Sequence, residues 1–116
     1  MTTDDFRKAL DSAEELNITF VGRKSGKKFS TPVWFVNDGE IVYLLPLNSA
    51  SNWYRNILKT PTMVIQALNK RTTAEVLPIR DKKRVEDIVR KFGAKYGAGE
   101  VKKYYPRPDV AVQLSI

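Results

Sequence analysis

Histidine and cysteine are both missing from this chain of 116 residues. Without thiols there is no disulfide, no thiolate nucleophile and no Cys/His zinc site. Without imidazole the commonest general acid and base is gone as well. An enzyme made from the remaining side chains would take its hard chemistry from a bound organic cofactor, and no metal site is expected. Long apolar runs are absent too: none approaches the roughly 18 residues a membrane-crossing helix needs. The first residues, Met1-Thr-Thr-Asp-Asp5, are acidic and lack the charged-then-apolar order of a secretory signal. A cytoplasmic protein is therefore expected. Carboxylates are scarce relative to cations, 13 against 20, which leaves a formal charge of +7. That surplus favours anionic partners such as nucleotide-like cofactors, nucleic acid or a membrane surface, without choosing among them.

The length suits one domain, 1–116, and is too short for two. The stretch that stands out is Gly22-Arg-Lys-Ser-Gly-Lys-Lys-Phe-Ser-Thr-Pro-Val-Trp-Phe35. It begins at the end of one apolar run and finishes inside another. Two glycines allow a turn where a side chain would clash. A turn of this kind aims N–H groups and cationic side chains at one anion. The functional reading is a loop that holds the phosphate of a flavin-like cofactor, with the following strand carrying the ring. The bland reading is a solvated basic hairpin, and the loop alone favours it. It is not a Walker A motif, because three residues separate Gly22 from Gly26 and a strand follows.

Periodicity supplies the frame. Phe6, Leu10, Ala13 and Leu16 form a helical stripe over Thr3–Leu16. Ile18–Val21, Phe29–Val36 and Glu40–Leu45 read as strands, with Asn37-Asp-Gly39 as a hairpin signal. Pro32 lacks an N–H and argues for a sheet edge or a bulge. Asn48–Asn52 opens a helix to about Thr60, with Ser49 or Ser51 as cap and its start as a second anion site. Pro61 stops it. Thr62–Leu68 and Arg71–Ile79 are strands around an Asn69-Lys70 turn. Asp81 caps a helix to about Tyr96, and Gly97-Ala-Gly99 breaks it before one more turn at Glu100–Tyr105. Val110, Val112, Leu114 and Ile116 alternate as a final strand. About six strands in sequence, with flanking helices, predict a mainly β (α+β) fold: a small antiparallel barrel.

Four motifs taken together, Gly22–Lys27, Ser30-Thr-Pro-Val-Trp-Phe35, Asn37-Asp-Gly39 and Trp53-Tyr-Arg-Asn-Ile57, resemble the deazaflavin-dependent nitroreductase family. That family lies within the split β-barrel flavin oxidoreductases, alongside the pyridoxamine phosphate oxidases. The resemblance covers roughly residues 16–80. It implies a split barrel, a homodimer, and binding of coenzyme F420, a deazaflavin, or of FMN. Carried onto this sequence, Arg23, Lys24, Ser25, Gly26, Lys27 and Lys28 would meet the phosphate. Pro32, Val33 and Trp34 would pass the ring. Ser51, Trp53 and Asn56 would belong to the helix that closes the phosphate side. The chain departs from the family where Lys28-Phe29 replaces Pro-Arg, since an arginine fork holds phosphate bidentately and a lysine does not.

The implied activity is hydride transfer from reduced F420 to a small organic acceptor, a quinone, enone or nitro compound. Alternatives are an FMN-dependent oxidoreductase of the same fold and a cofactor-binding protein without turnover. A third is a basic barrel that binds nucleic acid through Phe29, Trp34, Tyr43 and Trp53. The catalytic residues are not assigned, and Tyr96, Tyr104 and Tyr105 carry no transferred role.

Overall fold

The computed structural model describes residues 3–22, 25–38, 41–46, 48–106 and 108–115. Ten elements follow one another: α1 (Thr3–Ser12), β1 (Glu15–Val21), β2 (Lys28–Asp38), β3 (Ile41–Leu44), α2 (Asn52–Lys59), β4 (Thr62–Ala67), β5 (Lys70–Ile79), α3 (Lys82–Tyr96), α4 (Ala98–Tyr104) and β6 (Ala111–Ser115). The strands close into an antiparallel barrel in the order β1-β2-β3-β6-β5-β4. The expected architecture is therefore the observed one.

Alternation decides what faces inward. Leu16, Ile18 and Phe20 of β1 point into the barrel, opposite Val33, Thr31 and Phe29 of β2. Met63, Ile65, Ala67, Ala74, Val76, Val112 and Leu114 complete the interior. On β5 the inner row is Thr72, Ala74, Val76 and Pro78. Each end of the barrel is plugged by a helix. Phe6, Ala9, Leu10 and Ala13 of α1 seal one, and Tyr54 and Ile57 of α2 join the same core. A second cluster lies outside the barrel wall, where α3 and α4 press Val85, Ile88, Phe92 and Val101 onto Val36, Leu45, Ile79 and Ala111.

Several boundaries differ from expectation. The first helix stops at Ser12 and Leu16 belongs to β1. Leu16 continues the period of two set by Ile18 and Phe20, and burying it in the barrel is worth about 2 kcal/mol. The β4–β5 turn is Leu68-Asn69, with Leu68 at a φ of +55°. The expected Asn69-Lys70 turn is displaced because Lys70 already pairs with Ala67. Residues 48–50 precede α2 instead of belonging to it. Ser51 holds the N-cap position without capping: its hydroxyl accepts from the Asn48 N–H at 3.2 Å. Asp81 does cap α3, accepting from the Arg84 N–H at 3.0 Å.

Pro32 lies in the half of β2 that pairs only with β1. The β1 register runs unbroken from Val21↔Lys28 to Glu15↔Trp34, and β3 takes over at Phe35↔Leu44. The missing N–H is accommodated at a local edge, with no bulge. This handover at Trp34–Phe35 is where the barrel is split.

Candidate functional site

The basic stretch forms the tip of the β1–β2 hairpin. Gly22 N–H donates to the Lys27 carbonyl at 2.8 Å, and Gly26 N–H donates to the Gly22 carbonyl at 3.0 Å. Gly26 sits at a φ of +71°, a conformation glycine takes without steric cost. The Lys27 N–H donates to Ser25 Oγ at 3.2 Å. The amides of Gly22, Gly26 and Lys27 are thus engaged by the loop itself, which corrects the expectation that they face an anion. What the loop offers an anion is its exposed side chains, Ser25, Lys27 and Lys28. Arg23 and Lys24 lie outside the described residues.

From Lys28 a single row of side chains runs along the outer face of β2. The pleat puts Lys28, Ser30, Pro32 and Trp34 on that face. Lys28, Ser30 and Pro32 are exposed, whereas Trp34 is half-buried. Lys28 and Trp34 lie about six strand rises apart, roughly 20 Å. Beside the row, Thr19 and Ser30 share a hydroxyl–hydroxyl hydrogen bond of 2.7 Å. Val33 points the other way, into the barrel, where it packs with Trp53 against the interior cluster. Only its backbone borders the outer row.

The row ends in a cleft of about 560 Å³ lined by Glu14, Glu15, Trp34, Lys95 and Tyr96. Trp34 and Tyr96 stack with ring centroids 4.2 Å apart and planes 6° apart. Tyr104 meets Trp34 edge-on at 5.3 Å. The Tyr96 hydroxyl donates to the Glu14 carbonyl at 2.5 Å and accepts from the Phe35 N–H at 3.1 Å. Desolvation, opposed by the hydrogen bond to Phe35, pushes Tyr96 up to about 12. Burial also raises Tyr105. Lys95 donates to the Phe35 carbonyl at 2.8 Å and holds its ammonium 3.5 Å from the Phe35 ring centroid. Desolvation lowers its pKa, against an opposing pull from Glu14.

Sequence alone assigns no role to Tyr96 and singles out none of Lys95, Glu14 and Glu15. Their convergence needs the C-terminal end of α3 to meet the α1–β1 junction, and no local pattern encodes that meeting. The loop that leads into α2 is tied down by the chain itself. The Ser49 N–H and hydroxyl donate to the Asp109 carboxylate at 2.9 and 2.8 Å. Asn56 of α2 is buried and Trp53 half-buried, on the barrel side of the helix. The stacking platform imagined for nucleic acid is not assembled. Trp34 and Tyr43 lie against the outer cluster, Trp53 against the inner one.

The family model of the F420H(2)-dependent quinone reductases matches residues 5–106. The chain belongs to this family. It is accordingly an oxidoreductase, and its cofactor is coenzyme F420. Sequence comparison with the curated proteins finds no match. Among solved structures, an F420-H2 dependent reductase (FDR-A) aligns over 88% of this chain and 94% of its own, with a TM-score of 0.68 and 19% identity. HutZ, a heme storage protein from Vibrio cholerae, aligns over 97% and 87%, with a TM-score of 0.74 and 14% identity. A third, described as a domain-swapped dimer, aligns over 88% and 80%, with a TM-score of 0.67 and 19% identity. At these identities the likeness establishes the shared barrel.

The described residues of the reductase suit F420 at the hairpin tip. F420 carries a phosphate and further carboxylates, and the tip presents two exposed lysines and a serine beside a positive-φ glycine. Among the described residues no helix is long and apolar enough to cross a membrane.

Proposed function

We propose that this reductase binds F420 along the outer face of the first half of β2 and reduces a quinone in the adjoining cleft. The observation that carries the reading is the continuous outer row Lys28–Ser30–Pro32–Trp34, which joins the cationic hairpin tip to the aromatic cleft. Ser25, Lys27 and Lys28, with Arg23 and Lys24 of the same loop, would hold the phosphate. Pro32 and Trp34 would flank the ring, and the backbone of Val33 would border it. Ser51, Trp53 and Asn56 would act from behind by fixing α2 at the same end of the barrel as the loop. When bound, reduced F420 supplies the hydride.

The chain's own work is placement and the exclusion of water. Trp34 and Tyr96 form a rigid aromatic wall on which a flat acceptor can lie. The Lys95 ammonium lines the cleft 5.0 Å from the Tyr96 ring centroid, placed to favour the negative charge that a quinone oxygen gains on reduction. A homodimer and a cytoplasmic location belong to the same reading, tested by sedimentation and by cell fractionation.

The test is a titration of F420 fluorescence with the purified protein. Lys27→Ala combined with Lys28→Ala should weaken binding by about tenfold or more, as loss of charge-assisted contacts does. The weakening should shrink at high salt. Unchanged affinity in the double variant would move the phosphate elsewhere.

A further inference from the structure

A second cavity, of about 580 Å³, lies in the groove between α3 and α4 and takes no part in the site above. Gly93, Ala94 and Ala98 open it, because small side chains leave room where the two helices meet. Val101 and Tyr105 supply apolar wall, and Arg90 and Lys102 stand at its rim. The volume is that of a small-ligand pocket. An apolar hollow whose charged residues, among those described, are both cations calls for a particular occupant. Its body must be apolar, to gain from burial, and its head must be an anion, to meet the rim.

We propose that the α3–α4 groove binds an amphipathic anion, a single apolar chain or ring with one carboxylate-like head beside Lys102. Arg90 already forms an ion pair with Asp87, so Lys102 is the principal partner and Arg90 the lesser one. The site communicates with the aromatic cluster. Tyr105 lines the groove, and its ring centroid lies 6.3 Å from those of both Trp34 and Phe92. An occupant that presses on Tyr105 will therefore change the packing around Trp34. This inference stands apart from the placement of F420, since it uses none of the residues assigned to the cofactor.

The probe is dodecanoate, with dodecanol as its uncharged counterpart, both kept below their aggregation limits and followed by calorimetry. One dodecanoate per chain is expected to bind saturably and more tightly than dodecanol. Lys102→Glu should weaken dodecanoate by about tenfold and leave dodecanol unchanged. Ala98→Phe fills the groove and should abolish both, while a single cooperative urea transition shows the variant to be folded. Parental dodecanoate affinity in both variants would overturn the proposal. So would a protein that pellets with anionic vesicles but binds no monomeric dodecanoate, which would make the face a membrane contact. Failure to bind dodecanoate, joined to a dimer that Ala98→Phe dissociates, would assign the groove to a second copy and equally overturn it.

Discussion

The Tyr96 hydroxyl stands 3.1 Å from the Phe35 amide nitrogen, at the residue where β2 leaves β1 for β3. A β1 partner would ordinarily satisfy Phe35 on that side. The register with β1 has already ended at Glu15↔Trp34, so the rung is missing. Tyr96 replaces it from outside the sheet. Its oxygen accepts from the Phe35 N–H, and its proton goes to the Glu14 carbonyl at 2.5 Å, with the Phe35 carbonyl at 2.9 Å as a second acceptor. Lys95 adds a donor to that same Phe35 carbonyl. One turn of α3 thus closes the split in the barrel wall and builds the cleft in the same stroke.

Tyr96→Phe isolates this role, because the ring remains on Trp34 and only the hydroxyl is lost. The Phe35 N–H is then left half-buried without its acceptor. The expected cost is about 1–3 kcal/mol, read from the midpoint of urea unfolding. A variant as stable as the parent would show that water substitutes for the hydroxyl and that the handover needs no side-chain rung.

The same hydroxyl predicts how stability changes in alkali. Its folded pKa is raised from 10.0 to about 12, so the native state keeps a proton that the unfolded chain gives up. The stabilisation is fully present below about pH 10 and drains away as pH climbs through about 12. Lys95 works in the opposite sense. Its folded pKa is lowered, so the cost of its desolvated charge is relieved as pH rises towards 10.5. Urea midpoints measured across this window should fall more steeply in the parent than in Tyr96→Phe. Parallel curves would remove Tyr96 from the alkaline transition. Tyr105, also raised by burial, supplies the fall that remains in the variant.

Gly26 sets the shape of the cationic tip. Nothing lies within 4 Å of a Cβ added there, so its requirement is conformational, the φ of +71°. Gly26→Ala should cost about 1 kcal/mol in stability and loosen F420 binding, whereas Gly26→Asn, which tolerates this region, should preserve both. Gly22 differs in kind. Its Cβ would stand 2.7 Å from the Phe29 ring, which is stacked on Phe20, and 3.0 Å from Ser25 Oγ, so its requirement is space. Equal tolerance of alanine and asparagine at Gly26, judged by unfolding and by F420 titration, would mean the loop does not rely on this turn.

The barrel was readable because its strands obey a strict period. Ile18, Phe20, Val112 and Leu114 announce their faces without help from the rest of the chain. Leu16 fits two periods at once, three residues after Ala13 on a helical stripe and two before Ile18 on a strand. The tertiary core decided between them. The cationic tip was legible as a motif, yet its internal hydrogen bonds were not, since Ser25 Oγ and the Gly22 carbonyl compete for the very amides an anion would use. The cleft was the least legible part. Glu14 and Lys95 are 81 positions apart, and each looks like ordinary solvated charge until α3 is laid across the split.

The chain's two tryptophans should separate the cofactor face from the barrel core. Trp34 stands on the outer row, stacked on Tyr96 and edged by Tyr104. Trp53 packs with the interior cluster through α2. Trp34→Ala removes a half-buried ring and is expected to cost about 2 kcal/mol, less than a fully enclosed aromatic would. It should also weaken F420 by about tenfold, because the aromatic wall at the end of the row is gone. Trp53→Phe keeps an apolar body in the core, so it should lower stability modestly and leave the F420 affinity intact. Titrations run well below each variant's unfolding temperature keep the two effects apart. The opposite pattern, with affinity lost in Trp53→Phe and kept in Trp34→Ala, would place the ring on the α2 side of the barrel and turn the proposed track around.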